Sequence, residues 1–373
     1  MKLISIDMVR RMIPKFLKNF WYNYIGKKQF TPNEKDVKNA KNLASRLKGK
    51  TNSETLNNIL EWQNENIFAW EERWVLFLNF IISTILFLFL ISFFKISQPI
   101  ILGFAFLVVL SLIANLSMLA ILGYLTYITM IFIAIFLIYP FKFTPFTLIF
   151  SIFFGWFIAI FLQLFIKYNS LKRWATEFKV SDTFLLSLPV EKILKYKLSV
   201  CRDYAKLTAA LLLNLFPKNR IFFFTFVGHV ATGIELNGKT YILDQKLPIV
   251  NEQTWLNSWN KDKATKLELK RNRNKFEVSY FGEIIRQEKM KLETPKQLVK
   301  VLEKAIKEGE KEVIYVLKDQ AKIYDTNDEI IIESLLRYYT SLLQKEFTGN
   351  FSKIKRLNIT KKGNDLMLRI SLR

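Results

Sequence analysis

The sequence predicts an α+β domain that is interrupted by a four-helix transmembrane insertion and followed by a small α/β domain. Three observations carry that expectation. From Val75 to Ile166 only Lys95 and Lys142 are charged, and Phe-, Ile- and Leu-rich sequence of that length reads as membrane spans of about 20 residues each. Downstream, an apolar helix pattern that begins at Cys201 runs into two strand patterns joined by Asn237-Gly238, the strongest short-range hairpin signal. Past a Lys-rich stretch, strand and helix patterns alternate again to the C-terminus.

Composition sharpens the division. A mean hydropathy of +0.14 averages the apolar block with a remainder that carries most of a net charge of +23. Lys- and Arg-rich flanks are expected on the cytoplasmic side of a membrane protein, so the expected partners are the lipid bilayer and its anionic headgroups. No aromatic-basic recognition motif of the nucleic-acid modules is visible, which argues against nucleic acid. A single cysteine excludes an intrachain disulfide. One Cys, one His and no glycine-rich phosphate loop point to no metal and no cofactor.

In chain order, residues 1–30 read as a basic amphipathic helix lying in the membrane interface. Val9, Met12, Ile13, Phe16, Leu17, Phe20, Trp21 and Tyr24 follow a helical stripe, with Arg10, Arg11, Lys15 and Lys18 off it. A helix packed on the protein's own domain is the open alternative. Residues 31–74 hold two helices, about 33–48 and 53–70, the second opened by the capping signal Thr51-Asn52-Ser53-Glu54. Residues 75–168 form the transmembrane region, with spans at about 75–94, 99–116, 118–139 and 145–166. The break at Asn115 to Ser117 is weak, so three spans stay open. The spans contain no Asp, Glu, His or Arg, which suits an anchor rather than a transport path. Arg73, Lys167, Lys172 and Arg173 flank the inner side, so a multi-pass cell-membrane protein with both termini cytoplasmic is expected.

Residues 169–260 hold the chemistry. A helix over about 201–216 ends before Pro217, and strands over about 221–236 and 239–245 follow. Residues 261–275 read as a basic exposed linker. Residues 276–373 read as a separate α/β domain, with strands at Phe276 to Tyr280, Val313 to Leu317, Ile354 to Thr360 and Leu366 to Leu372, and helices at 295–308 and 328–346.

Cys201 is the only cysteine and His229 the only histidine. At the start of a helix a thiol meets unbonded N–H groups and the positive end of the dipole, which favour a thiolate. Ser199 is a suitable N-cap, and the Cys201 amide a candidate oxyanion donor. A two-residue turn at Asn237-Gly238 makes Leu236 oppose Lys239, and counting back makes Ala231 oppose Asp244. His229 then shares a face with Ala231, so Asp244 lies diagonally across from it. The small residues Gly228, Ala231 and Gly233 leave room around His229 for a substrate or for the cysteine helix.

Cys201-Arg202-Asp203-Tyr204-Ala205, then Gly228-His229-Val230-Ala231, then Tyr241-Ile242-Leu243-Asp244 resembles the core of the transglutaminase-like superfamily. Upstream, Trp62-Gln63-Asn64-Glu65-Asn66-Ile67 is similar to the family's Trp-x-x-x-Asn-Ile helix. The resemblance covers about 35–70 and 172–250. It implies a papain-like α+β core with catalytic Cys201, His229 and Asp244, here in a membrane-anchored prokaryotic or archaeal member whose domain is split by its anchor. Ser199, Ala231 and Gln245 depart from the family's usual residues. The implied chemistry is thioester acyl transfer on an amide, as hydrolysis of a peptide or amide or as transfer to an amine, with a protein or peptide near the membrane as substrate. A catalytically inactive transglutaminase-like membrane scaffold or binding protein is the alternative.

Overall fold

The computed structural model describes residues 15–69, 177, 179, 182, 185, 187–272, 275–290, 297–347 and 350–373. One compact unit is assembled from two separate parts of the chain, the described residues of 15–68 and of 187–373. Its elements are α1 (Lys15–Gln29), α2 (Glu34–Leu47), α3 (Asn52–Asn66), β1 (Phe68–Ala69), α4 (Val190–Tyr196), β2 (Leu198–Ser199), α5 (Cys201–Leu215), β3 (Ile221–Phe226), β4 (His229–Leu236), β5 (Lys239–Leu243), α6 (Glu252–Ser258), β6 (Lys263–Asn272), β7 (Lys275–Ile285), α7 (Leu298–Lys307), β8 (Glu312–Leu317), α8 (Gln320–Ile323), α9 (Glu329–Glu346), β9 (Ile354–Lys362) and β10 (Asp365–Leu372). The result is a mixed α/β fold.

The membrane insertion is corrected. Among the described residues no helix is long and apolar enough to cross a membrane. The four spans expected at 75–94, 99–116, 118–139 and 145–166 lie outside the described residues. Neither the insertion nor the multi-pass location that followed from it has structural support.

The central sheet is antiparallel, in the order β5-β4-β3-β6-β7. Phe222, Phe223 and Phe224 of β3 are all fully buried, so this strand is covered on both faces. Phe222 and Phe224 pack with Ala231, Ile242, Trp255 and Leu256, while Phe223 meets Phe30 at a centroid distance of 4.8 Å. Helix α5 docks on β4, where Thr232 Oγ1 donates to the Ala205 carbonyl at 2.8 Å.

Two further expectations change here. The strand expected over 221–236 is a hairpin, because the chain reverses at Val227-Gly228 and Phe226 pairs with His229. Gly228 has φ +101°, a conformation that glycine adopts at no steric cost. The basic linker expected at 261–275 is mostly β6. Its Lys266 is buried, with Nζ 2.7 Å from Glu252 Oε1 and 4.2 Å from the Phe222 ring centroid. A lysine whose charge is paired inside a sheet is no sign of an exposed linker.

Strands β8, β9 and β10 form a sheet of their own, ordered β8-β10-β9, within the same compact unit as the central sheet rather than as a separate domain. Asp328, the N-cap of α9, accepts from Lys239 and Tyr241 of β5, each at 2.8 Å. Arg337 Nη1 reaches Glu61 of α3 at 2.9 Å. The start of the C-terminal region also moves, since β7 completes the central sheet.

Helix α1 packs its polar side inward. Tyr280 N donates to Asn19 Oδ1 at 2.6 Å, and Tyr22 Oη lies 3.3 Å from Thr265 Oγ1. Of the expected apolar stripe, Phe16, Leu17, Phe20, Trp21 and Tyr24 are exposed, and Val9, Met12 and Ile13 lie outside the described residues.

Candidate active site

The site forms where α5 meets the β4–β5 hairpin, with α3 packed on α5. The upstream helix is tied to the cysteine helix at two points. Gln63 Nε2 donates to Thr208 Oγ1 at 2.9 Å, and Tyr204 Oη donates to the Ile67 carbonyl at 2.9 Å. Thr51 caps α3, accepting from the Glu54 amide at 3.0 Å as its sequence signal predicts.

Cys201 is the first residue of α5 and partly exposed. The N-cap is Val200 rather than the expected Ser199, which is fully buried and whose Oγ has no partner among the described residues. Asp203 takes over the capping duty, since its Oδ2 accepts from the Val200 amide at 3.2 Å and its Oδ1 from the Leu188 amide at 2.8 Å. Thus the aspartate in Cys-Arg-Asp-Tyr-Ala fixes the start of the helix on which the thiol stands.

The hairpin has the register dictated by a two-residue turn. Leu236 pairs with Lys239, and the ladder runs to Thr232 opposite Leu243. Asn237 and Gly238 have φ of 51° and 76°, as a primed turn requires. Asp244 follows β5 directly, and His229 Nε2 lies 2.8 Å from its Oδ1 and 2.9 Å from its Oδ2. Cys201 is close enough for its side chain to raise the pKa of His229. Nε2 is turned to the carboxylate, so Nδ1 remains for the sulfur. The structure therefore brings Cys201, His229 and Asp244 together. Gly233 does not serve the site as expected, because the Phe224 ring fills its space; a Cβ there would lie 2.7 Å from Phe224 Cε2.

His229 is buried. Burial opposes its charged form, but the hydrogen bond and charge of Asp244, and then those of Cys201, outweigh it and raise the pKa to about 9. The sign is that of a stabilised imidazolium. Its contribution to stability is fully present below the ordinary histidine value of 6.5 and is lost as pH rises through about 9.

Three residues of the site have no place in the sequence reading. Trp255 and Trp259 both donate their indole N–H to Asp244 Oδ2 at 2.8 Å. Phe226 closes an aromatic collar, its ring 5.5 Å from the imidazole, 5.3 Å from Trp255 and 5.7 Å from Trp259. A signal was present: the two tryptophans are four apart behind Asn251, a good N-cap, which places them on one helix face. Among the described residues no group of His, Cys, Asp and Glu could hold a metal ion.

Comparison with known proteins agrees on the core. Residues 151–273 match a family model described as a transglutaminase-like domain. A UPF0252 protein of Methanocaldococcus jannaschii is 26% identical over 351 residues, 88% of this chain and 91% of that protein. An uncharacterized protein of the same organism is 46% identical over 59 residues, 16% of this chain and 84% of its own. A UPF0252 protein of Archaeoglobus fulgidus is 41% identical over 91 residues, 23% of this chain and 29% of that one. No solved structure matches.

Proposed function

We propose that this chain, which carries a transglutaminase-like domain, is a cysteine enzyme that transfers an acyl group from an amide through a thioester, with peptide or amide hydrolysis as its reaction. One observation carries the reading: His229 turns Nε2 to the Asp244 carboxylate at 2.8 and 2.9 Å, which leaves Nδ1 for the neighbouring Cys201.

The steps follow from that geometry. His229 Nδ1 takes the thiol proton, and the Cys201 sulfur attacks the amide carbonyl carbon. The tetrahedral oxyanion meets the Cys201 amide, one of the first-turn N–H groups that a helix leaves unbonded. As the C–N bond breaks, the imidazolium returns its proton to the leaving amine, and a thioester remains on Cys201. Water, deprotonated by His229, attacks the thioester; a carboxylic acid leaves and the thiol is restored. An amine entering in place of water would give transfer instead of hydrolysis. Throughout, Asp244 holds the ring and balances its charge.

Alkylation by iodoacetamide tests the pairing directly. At pH 6 an unassisted cysteine is almost wholly protonated, so Cys201 in the native chain should react on the order of 100-fold faster than in His229→Ala. Equal, slow labelling of both proteins would mean a site that binds without reacting. With an amide substrate, turnover should fall as pH rises through about 9, because the leaving amine then finds no proton on His229. A rate that keeps rising to pH 10 would exclude His229 as the acid.

A further inference from the structure

We propose that Trp255 and Trp259 are positioning residues, a pair of hydrogen-bond donors that clamp the Asp244 carboxylate and through it fix the orientation and tautomer of His229. Three N–H groups converge on Asp244 Oδ2: His229 Nε2 at 2.9 Å, Trp255 Nε1 at 2.8 Å and Trp259 Nε1 at 2.8 Å. Asp244 Oδ1 takes His229 Nε2 as well, at 2.8 Å. An indole nitrogen can only donate. Both tryptophans therefore require an acceptor at Oδ2, which keeps the carboxylate facing the imidazole with both oxygens.

With an acceptor held on that side, the ring proton is drawn to Nε2 and the lone pair of neutral His229 is left on Nδ1, toward Cys201. The same indoles also border the ring itself. Trp259 lies 4.0 Å from the imidazole centroid and Trp255 6.2 Å. Burial alone accounts for Trp255, which is 1% exposed, but not for Trp259, which is 37% exposed and still turns its N–H inward to a carboxylate rather than outward to water. The titratable groups that raise the pKa of His229 are Asp244 first and then Cys201. Lys261 stands further out, with Nζ 5.2 Å from the Phe226 ring centroid.

The purpose of the clamp rests on the acyl-transfer reading, but its existence can be read without turnover. His229 is the only histidine, so a chain labelled with carbon-13 histidine gives one imidazole signal whose pH titration belongs to it. The native chain should titrate near pH 9. Trp259→Phe keeps an aromatic ring and removes one donor. Its titration should move down toward 6.5, as the loosened carboxylate turns from Nε2, and Trp255→Phe/Trp259→Phe should move further. With an amide substrate, kcat should fall about ten-fold or more at nearly unchanged KM, the size of effect expected for a lost hydrogen bond to a charged group. Trp259→Phe is partly exposed and decides the matter even if the double variant fails to fold. A titration that stays near 9 or rises in Trp259→Phe overturns the clamp. A native chain that turns over no amide overturns the acyl-transfer reading and leaves the titration result standing.

Discussion

Asp244→Asn should lower turnover of an amide substrate by on the order of 10⁴-fold while the chain stays folded. The carboxylate accepts from three donors through two oxygens: His229 Nε2 on both, and two indoles on Oδ2. An asparagine has one oxygen to offer. Two indole N–H groups at 2.8 Å claim that oxygen at the Oδ2 position, so the amide NH2 is forced to where Oδ1 stood, facing His229 Nε2. Meeting a donor there, Nε2 becomes the acceptor and the ring proton moves to Nδ1, the nitrogen that should take the thiol proton. The variant thus keeps the shape of the site and inverts its proton logic. Nitrogen-15 shifts of the single imidazole would show the tautomer change, and kcat the loss. A variant that retains a tenth of native turnover would show that Asp244 does not set the tautomer.

The parts of the site that were legible in sequence are those whose geometry is local. Asn237-Gly238 fixes a two-residue turn, the turn fixes the register, and the register carries Asp244 to the diagonal from His229. The second hairpin turn was hidden because Val227-Gly228 lies inside an apolar run, where nothing polar marks the reversal. Strand β6 was hidden for a different reason. Its pairing with β7 shifts between Lys266 and Leu267, so Ala264 and Lys266 are buried in one phase and Leu267 and Leu269 in the other. That break erases the period-two pattern and leaves only the lysines visible. The tryptophan pair and the contact of Asp328 with Lys239 and Tyr241 join residues that only the assembled fold brings together. For the same reason the apolar stripe of α1 gives no hint that Asn19 and Tyr22 on its other side meet the sheet.

Asp203→Ala should destabilise the fold by roughly 3–5 kcal/mol, the cost of stranding a buried charge and its donors. Asp203 is 2% exposed. Its carboxylate accepts from the amides of Leu188 and Val200. Lys206, also buried, donates to the Leu188 carbonyl at 3.2 Å. Burial pushes the pKa of Asp203 up and that of Lys206 down, while the charges of Asp36 and Asp203 pull Lys206 back toward its charged form. Asp36 holds the adjoining segment, accepting from the Val190 amide at 2.9 Å. Removing Asp203 therefore leaves two buried amides without an acceptor and weakens the charge support that Lys206 takes from Asp36 and Asp203. A shift of the urea midpoint by less than that of a typical surface substitution would refute this account. The loss should also reach the chemistry. Val200 is the N-cap and Cys201 the next residue, so freeing the Val200 amide loosens the turn that aims the sulfur at His229. Labelling of Cys201 at pH 6 should slow in Asp203→Ala even at temperatures where circular dichroism shows the chain folded. The aspartate of the Cys-Arg-Asp-Tyr-Ala element thereby acts on the thiol without touching it, by fixing where its helix begins.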